Sequence, residues 1–238
     1  MPARLSSVKR LFDITFAIVG LGLLWPAFAV LALVIKLSDG GAVFFRQERV
    51  GHRGKRFWIL KFRSMAPNAE GLGLSVTKDG DPRITRVGRF MRKTKLDELP
   101  QLWNVLVGEM SFVGPRPEVP IYVQKYTDYQ RRVLALKPGI TDPAALEFRD
   151  EERMLKEGAG GDYRLQTTDY RLPTTDERTR TTEGRLRTAE GGEGDGVEDF
   201  YLQYCVPRKI ELSLAYAERA NLWTDVGVIL RTVIGRRL

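Results

Sequence analysis

Asp97 and Glu98 stand side by side in the run Thr94-Lys95-Leu96-Asp97-Glu98-Leu99-Pro100-Gln101. Two neighbouring carboxylates can divide the work of phosphoryl transfer. One attacks phosphorus and becomes an acyl phosphate, and the other holds a hard cation such as Mg²⁺ against the phosphate oxygens. Fixed cations must then meet the charge that spreads over the equatorial oxygens. Lys61 and Arg63 end the run Phe57–Phe62, Arg83 closes an Asp81-Pro82-Arg83 turn, and Arg92 lies in the basic stretch Ile84–Lys93. Arg116 sits between Pro115 and Pro117, which limit its backbone and suit a guanidinium set for bidentate phosphate contact. Each feature also has a plain structural reading. Acidic residues favour helix starts, a strand end with two cations can be an exposed edge, and a Pro-Arg-Pro turn can simply lie at the surface.

The elements that must position these groups follow from pattern. Thr94 resembles a helix start, Pro100 is tolerated only in a first turn, and Gly108 is a natural stop. Leu99, Leu102, Val105 and Leu106 supply the apolar stripe, so Asp97 and Glu98 are expected at a helix N-terminus. Val43–Gln47 and Phe57–Phe62 flank Gly51-His52-Arg53-Gly54 and predict a β-hairpin with His52 solvated in its turn. Lys137–Pro143 reads as a stiff turn, and Phe148–Glu152 as the start of an acidic helix. Pro207 opens an amphipathic helix through Ala220, Asn221–Asp225 breaks it, and Val226–Ile234 resumes.

Ile14–Ile35 is an uncharged run of 22 residues. As a helix it would extend about 33 Å at ~1.5 Å per residue, near the thickness of a bilayer core. Pro26 lies at its centre, where it removes a helix hydrogen bond. Positive charge flanks both ends, with Arg4, Lys9 and Arg10 before it and Lys36, Arg46 and Arg49 after it. Positive flanks prefer the cytoplasm. A re-entrant helix-break-helix hairpin satisfies both ends better than a straight span, and Lys9 and Asp13 are spaced to pair on one helix face.

Composition narrows the classes. The chain of 238 residues carries 38 Lys+Arg against 30 Asp+Glu, a formal charge of +8, and its 43% hydrophobic content supports a packed core. A single cysteine, Cys205, excludes an intrachain disulfide framework and a cysteine-based zinc site. A single histidine, His52, argues against a Ser-His-Asp site. No Walker A or Rossmann glycine pattern appears, and no nucleic-acid-binding motif explains the charge. Residues 162–189 repeat with a period of seven (DYRLQTT, DYRLPTT, DERTRTT, EGRLRTA), and EGGEGDG follows. Gly158–Gly196 is therefore read as an exposed low-complexity insertion.

The chain closely resembles the monotopic phosphoglycosyl transferases, a bacterial sugar transferase family acting on polyprenyl phosphate. The residues that carry this are KRLFD at Lys9–Asp13, KFRSM at Lys61–Met65, DPRITRVGRFMRKTKLDELPQLWNVLVGEMSFVGPRPE at Asp81–Glu118, and KPGIT at Lys137–Thr141. The resemblance implies that Asp97 attacks the β-phosphorus of a nucleoside-diphosphate sugar, a UDP- or related sugar, and that Glu98 binds Mg²⁺ with Asp97 beside it. It implies that Arg92 contacts phosphate and Arg116 holds nucleotide or phosphate, with Lys61, Arg63 and Arg83 as further substrate-binding candidates. Lys9, Asp13 and Pro26 would anchor and break the membrane helix. Trp25 departs from the serine often found before that proline. The expected partners are the two substrates and inner-membrane lipids, with no nucleic acid and a homodimer left open. The expected place is the inner membrane, with the catalytic domain facing the cytoplasm, and there is no room for the extra N-terminal membrane bundle of larger members.

The expected fold is α+β and mostly helical. Residues 1–38 would form the re-entrant membrane hairpin, 39–157 a small cytosolic catalytic core with a β-hairpin, 158–196 the insertion, and 197–238 amphipathic surface helices completing the core. The enzyme alternative is a membrane-bound phosphatase or hydrolase using the same aspartate. The non-enzyme alternative is a basic membrane-surface scaffold.

Overall fold

The structure is a computed structural model that describes residues 3–67, 69, 77, 80–148, 150–159 and 193–234. Helix dominates. The long α1 (Ala3–Asp39) leads into an antiparallel hairpin of β1 (Phe44–Val50) and β2 (Arg56–Phe62). Then come α2 (Arg86–Thr94), α3 (Gln101–Val107), β3 (Ser111–Val113), α4 (Pro120–Gln124), α5 (Asp128–Arg131) and β4 (Gly139–Thr141). After these follow α6 (Pro143–Glu147), α7 (Glu151–Ala159), α8 (Glu193–Phe200), α9 (Val206–Arg219) and α10 (Leu222–Ile234), with a π turn at Tyr201–Cys205 joining α8 to α9.

Apolar on every side, α1 still makes specific contacts along its length. Ala17 is fully buried against Phe57, Ile59, Val105 and Met110, and Ile35 against Phe62 and Met91. Polar groups fix the N-terminal part. Lys9 pairs with Asp225 of α10 and donates to the Val113 carbonyl at 3.1 Å. Arg10 donates to the Val105 and Leu106 carbonyls at 2.6 and 2.8 Å, satisfying the exposed C-terminal end of α3. Asp13 accepts from the Ser111 hydroxyl at 3.1 Å and the Phe112 amide at 3.2 Å. Lys9 and Asp13 thus reach across to other elements instead of pairing with each other. A buried carboxylate gains more from two donors on β3 than from a half-exposed ammonium one turn away. Asp39 closes the far end by pairing with Arg63.

The helix break expected at Pro26 is absent, and α1 runs through that residue as one helix. One lost hydrogen bond in so long a helix is outweighed by the turns propagating on either side.

The hairpin forms as the pattern predicts and is longer at both strands, with Phe44 opposite Phe62 and Val50 opposite Arg56. His52 is half-buried in its turn, not solvated. The Lys137–Pro143 segment corrects the turn reading, because Gly139–Thr141 is a strand lying parallel to β3. The two chains approach closely. A Cβ on Gly114 would lie 2.2 Å from the Lys137 carbonyl oxygen, so glycine alone permits the pairing.

The largest buried cluster gathers Val119, Tyr122, Val123, Phe148, Leu155, Val197, Phe200, Tyr201, Val206 and Ile210. Segments before and after the insertion therefore share one core. The repeat itself falls in residues 160–192, outside the described residues. Its expected limits shrink, since residues 158–159 end α7 and residues 193–196 begin α8.

Candidate active site

The Asp97-Glu98 pair sits in a tight connection between two helices. Thr85 caps the start of α2, its hydroxyl accepting from the Gly88 amide at 2.8 Å. Gly88 lets α2 press on the end of β2, since a Cβ there would fall 1.8 Å from the Ser64 carbonyl oxygen. Thr94 belongs to the last turn of α2, its hydroxyl bonded to the Phe90 carbonyl at 2.9 Å, and so it is not the expected helix start. Lys95 turns the chain with φ of 59° and donates its amide to Arg92 and Met91. A 3₁₀ turn, Leu96–Glu98, carries the carboxylates, and Pro100 then opens α3, which Gly108 ends at φ of 96°.

Both carboxylates are buried. Glu98 Oε1 accepts from Lys61 Nζ and from Arg116 Nη2, each at 2.8 Å. β2 supplies Lys61, and the chain leaving β3 supplies Arg116. Asp97 Oδ1 is buried without a hydrogen-bond partner. The two acids therefore ionise differently. Burial favours the neutral form of Glu98, but Arg116 and Lys61, with Lys95, overcome it and hold the carboxyl well below its usual range. Burial, reinforced by the Glu98 charge, pushes Asp97 up against the pull of Lys61 and Arg92. Burial also lowers Lys61, against the pull of Glu98, to about 8. Glu98 raises Arg116, which stays charged throughout.

The remaining expected cations line the same cleft of about 2020 Å³ but face other carboxylates. Arg92 pairs with Glu152 of α7, Arg83 with Asp81, and Arg63 with Asp39. A substrate phosphate at Arg92 would share the guanidinium with Glu152, which holds its Nε and Nη2 and is 40% exposed, or displace it. Sequence reasoning missed a second buried cluster beside Arg116. There Glu118 accepts from the Tyr201 hydroxyl and lies 3.8 Å from Arg49, while Lys209 pairs with Glu151 and sits 4.9 Å from the Tyr201 ring centre. Glu118 was visible as the end of the Pro-Arg-Pro run, but Tyr201 lies beyond the insertion, where no spacing marks it.

The donor set suits Mg²⁺. That ion commonly takes one or two carboxylates and fills its shell with water and phosphate oxygens. Asp97 offers an orphaned buried oxygen, and Glu98 keeps a second oxygen outside its two hydrogen bonds. Among the described residues no group of three or more acidic, histidine or cysteine side chains could hold a metal unaided.

The profile of the Bacterial sugar transferase family matches residues 4–167, and the chain belongs to that family. It is 48% identical over 124 residues to a Bacillus subtilis (strain 168) protein provisionally named an undecaprenyl-phosphate N-acetylgalactosaminyl 1-phosphate transferase, a match over 52% of this chain and 69% of the relative. It is 46% identical over 119 residues to the UDP-N-acetylgalactosamine-undecaprenyl-phosphate N-acetylgalactosaminephosphotransferase of Aeromonas hydrophila, covering 50% of this chain and 28% of the relative. It is 43% identical over 154 residues to the UDP-glucose:undecaprenyl-phosphate glucose-1-phosphate transferase of Escherichia coli (strain K12), covering 63% and 33%. The chain thus spans about a third or less of the last two.

Proposed function

We propose that this protein transfers a sugar 1-phosphate from a UDP-sugar to undecaprenyl phosphate, through a phosphosugar bound covalently to Asp97. The single observation that carries the reading is the contrast within the acid pair. Glu98 is bound by two cations, while the neighbouring Asp97 keeps a buried oxygen with no partner. A desolvated carboxylate freed from competing hydrogen bonds is a competent nucleophile toward phosphorus. The names of the relatives supply the substrate classes.

In the first half-reaction an Asp97 carboxylate oxygen bonds to the β-phosphorus, the bond to the bridging oxygen breaks, and UMP leaves with that electron pair. In the second, an oxygen of undecaprenyl phosphate attacks the same phosphorus. The acyl phosphate bond breaks, Asp97 is restored, and undecaprenyl diphosphate sugar is released. Lys61 and Arg116 keep Glu98 ionised and in place, and Arg92 offers a cation at the rim. Mg²⁺, held by Glu98 and Asp97, would supply charge neutralisation at the phosphate oxygens.

The membrane seat belongs to the same reading. Both ends of α1 dock on one domain, through Lys9 and Asp225 at one end and Asp39 and Arg63 at the other. Between them Leu23, Trp25, Val30 and Leu33 are exposed. A helix so held lies along one face of the bilayer with its exposed apolar side toward the lipid, and we place that face at the cytoplasmic side of the inner membrane.

The test is UMP release from a panel of UDP-sugars with undecaprenyl phosphate in detergent. Release that requires the lipid acceptor for full turnover supports the transferase. Release of free sugar phosphate without lipid supports the hydrolase, and no release from any donor supports a non-catalytic scaffold.

A further inference from the structure

We infer that Lys95 binds the diphosphate of the sugar nucleotide, an inference that rests on the transferase reading above. Lys95 holds a left-handed backbone, φ 59° and ψ 18°, at the junction of α2 and the Leu96–Glu98 turn. That conformation suits glycine or asparagine and is strained for lysine. No packing repays the strain, because the side chain is exposed. Glycine would close the same turn at lower cost, so the backbone alone gives lysine no advantage here.

The side chain explains the choice. A nucleotide sugar brings its negative charge toward two carboxylates, and most cations around them are already engaged. Lys61 and Arg116 hold Glu98, Arg92 holds Glu152, Arg83 holds Asp81, and Arg63 holds Asp39. Among the described residues lining the cleft, Arg46, Arg89, Lys93 and Lys95 have no carboxylate within salt-bridge distance. Of these four, Lys95 alone is among the charges felt most strongly at both Asp97 and Glu98. It is an uncommitted ammonium on a backbone turn two residues before the nucleophile. Approaching phosphate oxygens would meet it without competing with a bound carboxylate, unlike Arg92.

The experiment measures KM for a UDP-sugar, KM for undecaprenyl phosphate, kcat and the thermal midpoint in wild type, Lys95→Gly, Lys95→Asn and Lys95→Arg. Gly and Asn both accept the left-handed turn. They are expected to keep or raise the thermal midpoint, to raise donor KM about tenfold, and to leave acceptor KM unchanged. Lys95→Arg, which keeps the charge, is expected to stay within about twofold of wild type. Wild-type donor KM in Lys95→Gly or Lys95→Asn overturns the inference. So does a loss in Lys95→Arg equal to that in Lys95→Gly. A wild-type protein that turns over no sugar nucleotide instead removes the transferase reading, and the inference with it.

Discussion

Lys61 is the residue through which pH should reach this site. Its ammonium is lowered by burial to about 8, although Glu98 pulls it up. Above that pH it loses its proton, Glu98 keeps only Arg116, and the acid pair carries more uncompensated charge. The donor kcat/KM should therefore fall as pH rises through about 8, since this ratio follows the free enzyme. Asp97 sets the opposite limb. It must be ionised to attack, and burial has raised it, so activity falls as pH drops through a value above the ordinary aspartate range. In Lys61→Arg the guanidinium does not titrate in this range, and the limb near 8 should vanish. An unchanged basic limb in that variant would assign it to another group.

The residues of the site were legible to different degrees. Asp97 and Glu98 are adjacent, and their run is distinctive enough to be read directly. Lys61 and Arg116 come from distant segments, so their meeting on one oxygen of Glu98 belongs to the fold. Arg63 and Arg83, named as substrate-binding candidates, pair with Asp39 and Asp81; the first partner comes from the far end of α1 and depends on the fold, while the second is local to the Asp81-Pro82-Arg83 turn.

At the scale of elements, the approach of α2 to the end of β2 sets where the acid pair stands. Gly88 permits it by leaving the Ser64 carbonyl room. Gly88→Ala should push α2 outward, cost about 1–3 kcal/mol of stability as other overpacked sites do, and lower kcat by displacing the Leu96–Glu98 turn. Urea unfolding together with turnover would check this, and an alanine variant of wild-type stability and rate would contradict it. The hairpin was legible because its strands alternate around a glycine-bounded turn. The β3–β4 pair was not, since strands of three residues carry no period and their parallel contact depends on backbone approach at Gly114 and Gly139. Thr94 misled because a left-handed lysine after it leaves none of the glycine signal that ends a helix.

On the scale of the whole molecule, a long apolar helix packs at two places on the remaining elements of a chain whose formal charge is +8. The sequence signalled the apolar segment by its length, but its path through Pro26 and its docking on α3 and β2 came only with tertiary packing. If both ends lie on one membrane face, cysteines introduced at positions 4 and 46 should react with an impermeant reagent from the same side of sealed vesicles. Opposite sidedness would mean that α1 leaves its docked position and spans the bilayer. The basic surface should also draw the protein to anionic lipid more strongly at low salt.

The covalent intermediate is the centre of this account, and it can be weighed directly. Enzyme treated with UDP-sugar in the absence of lipid acceptor, then quenched and digested, should show the mass of a sugar phosphate on the peptide containing Leu96–Pro100, and Asp97→Asn should abolish it. A sugar phosphate found on any other peptide, or an Asp97→Asn protein that still transfers at the wild-type rate, would contradict the account.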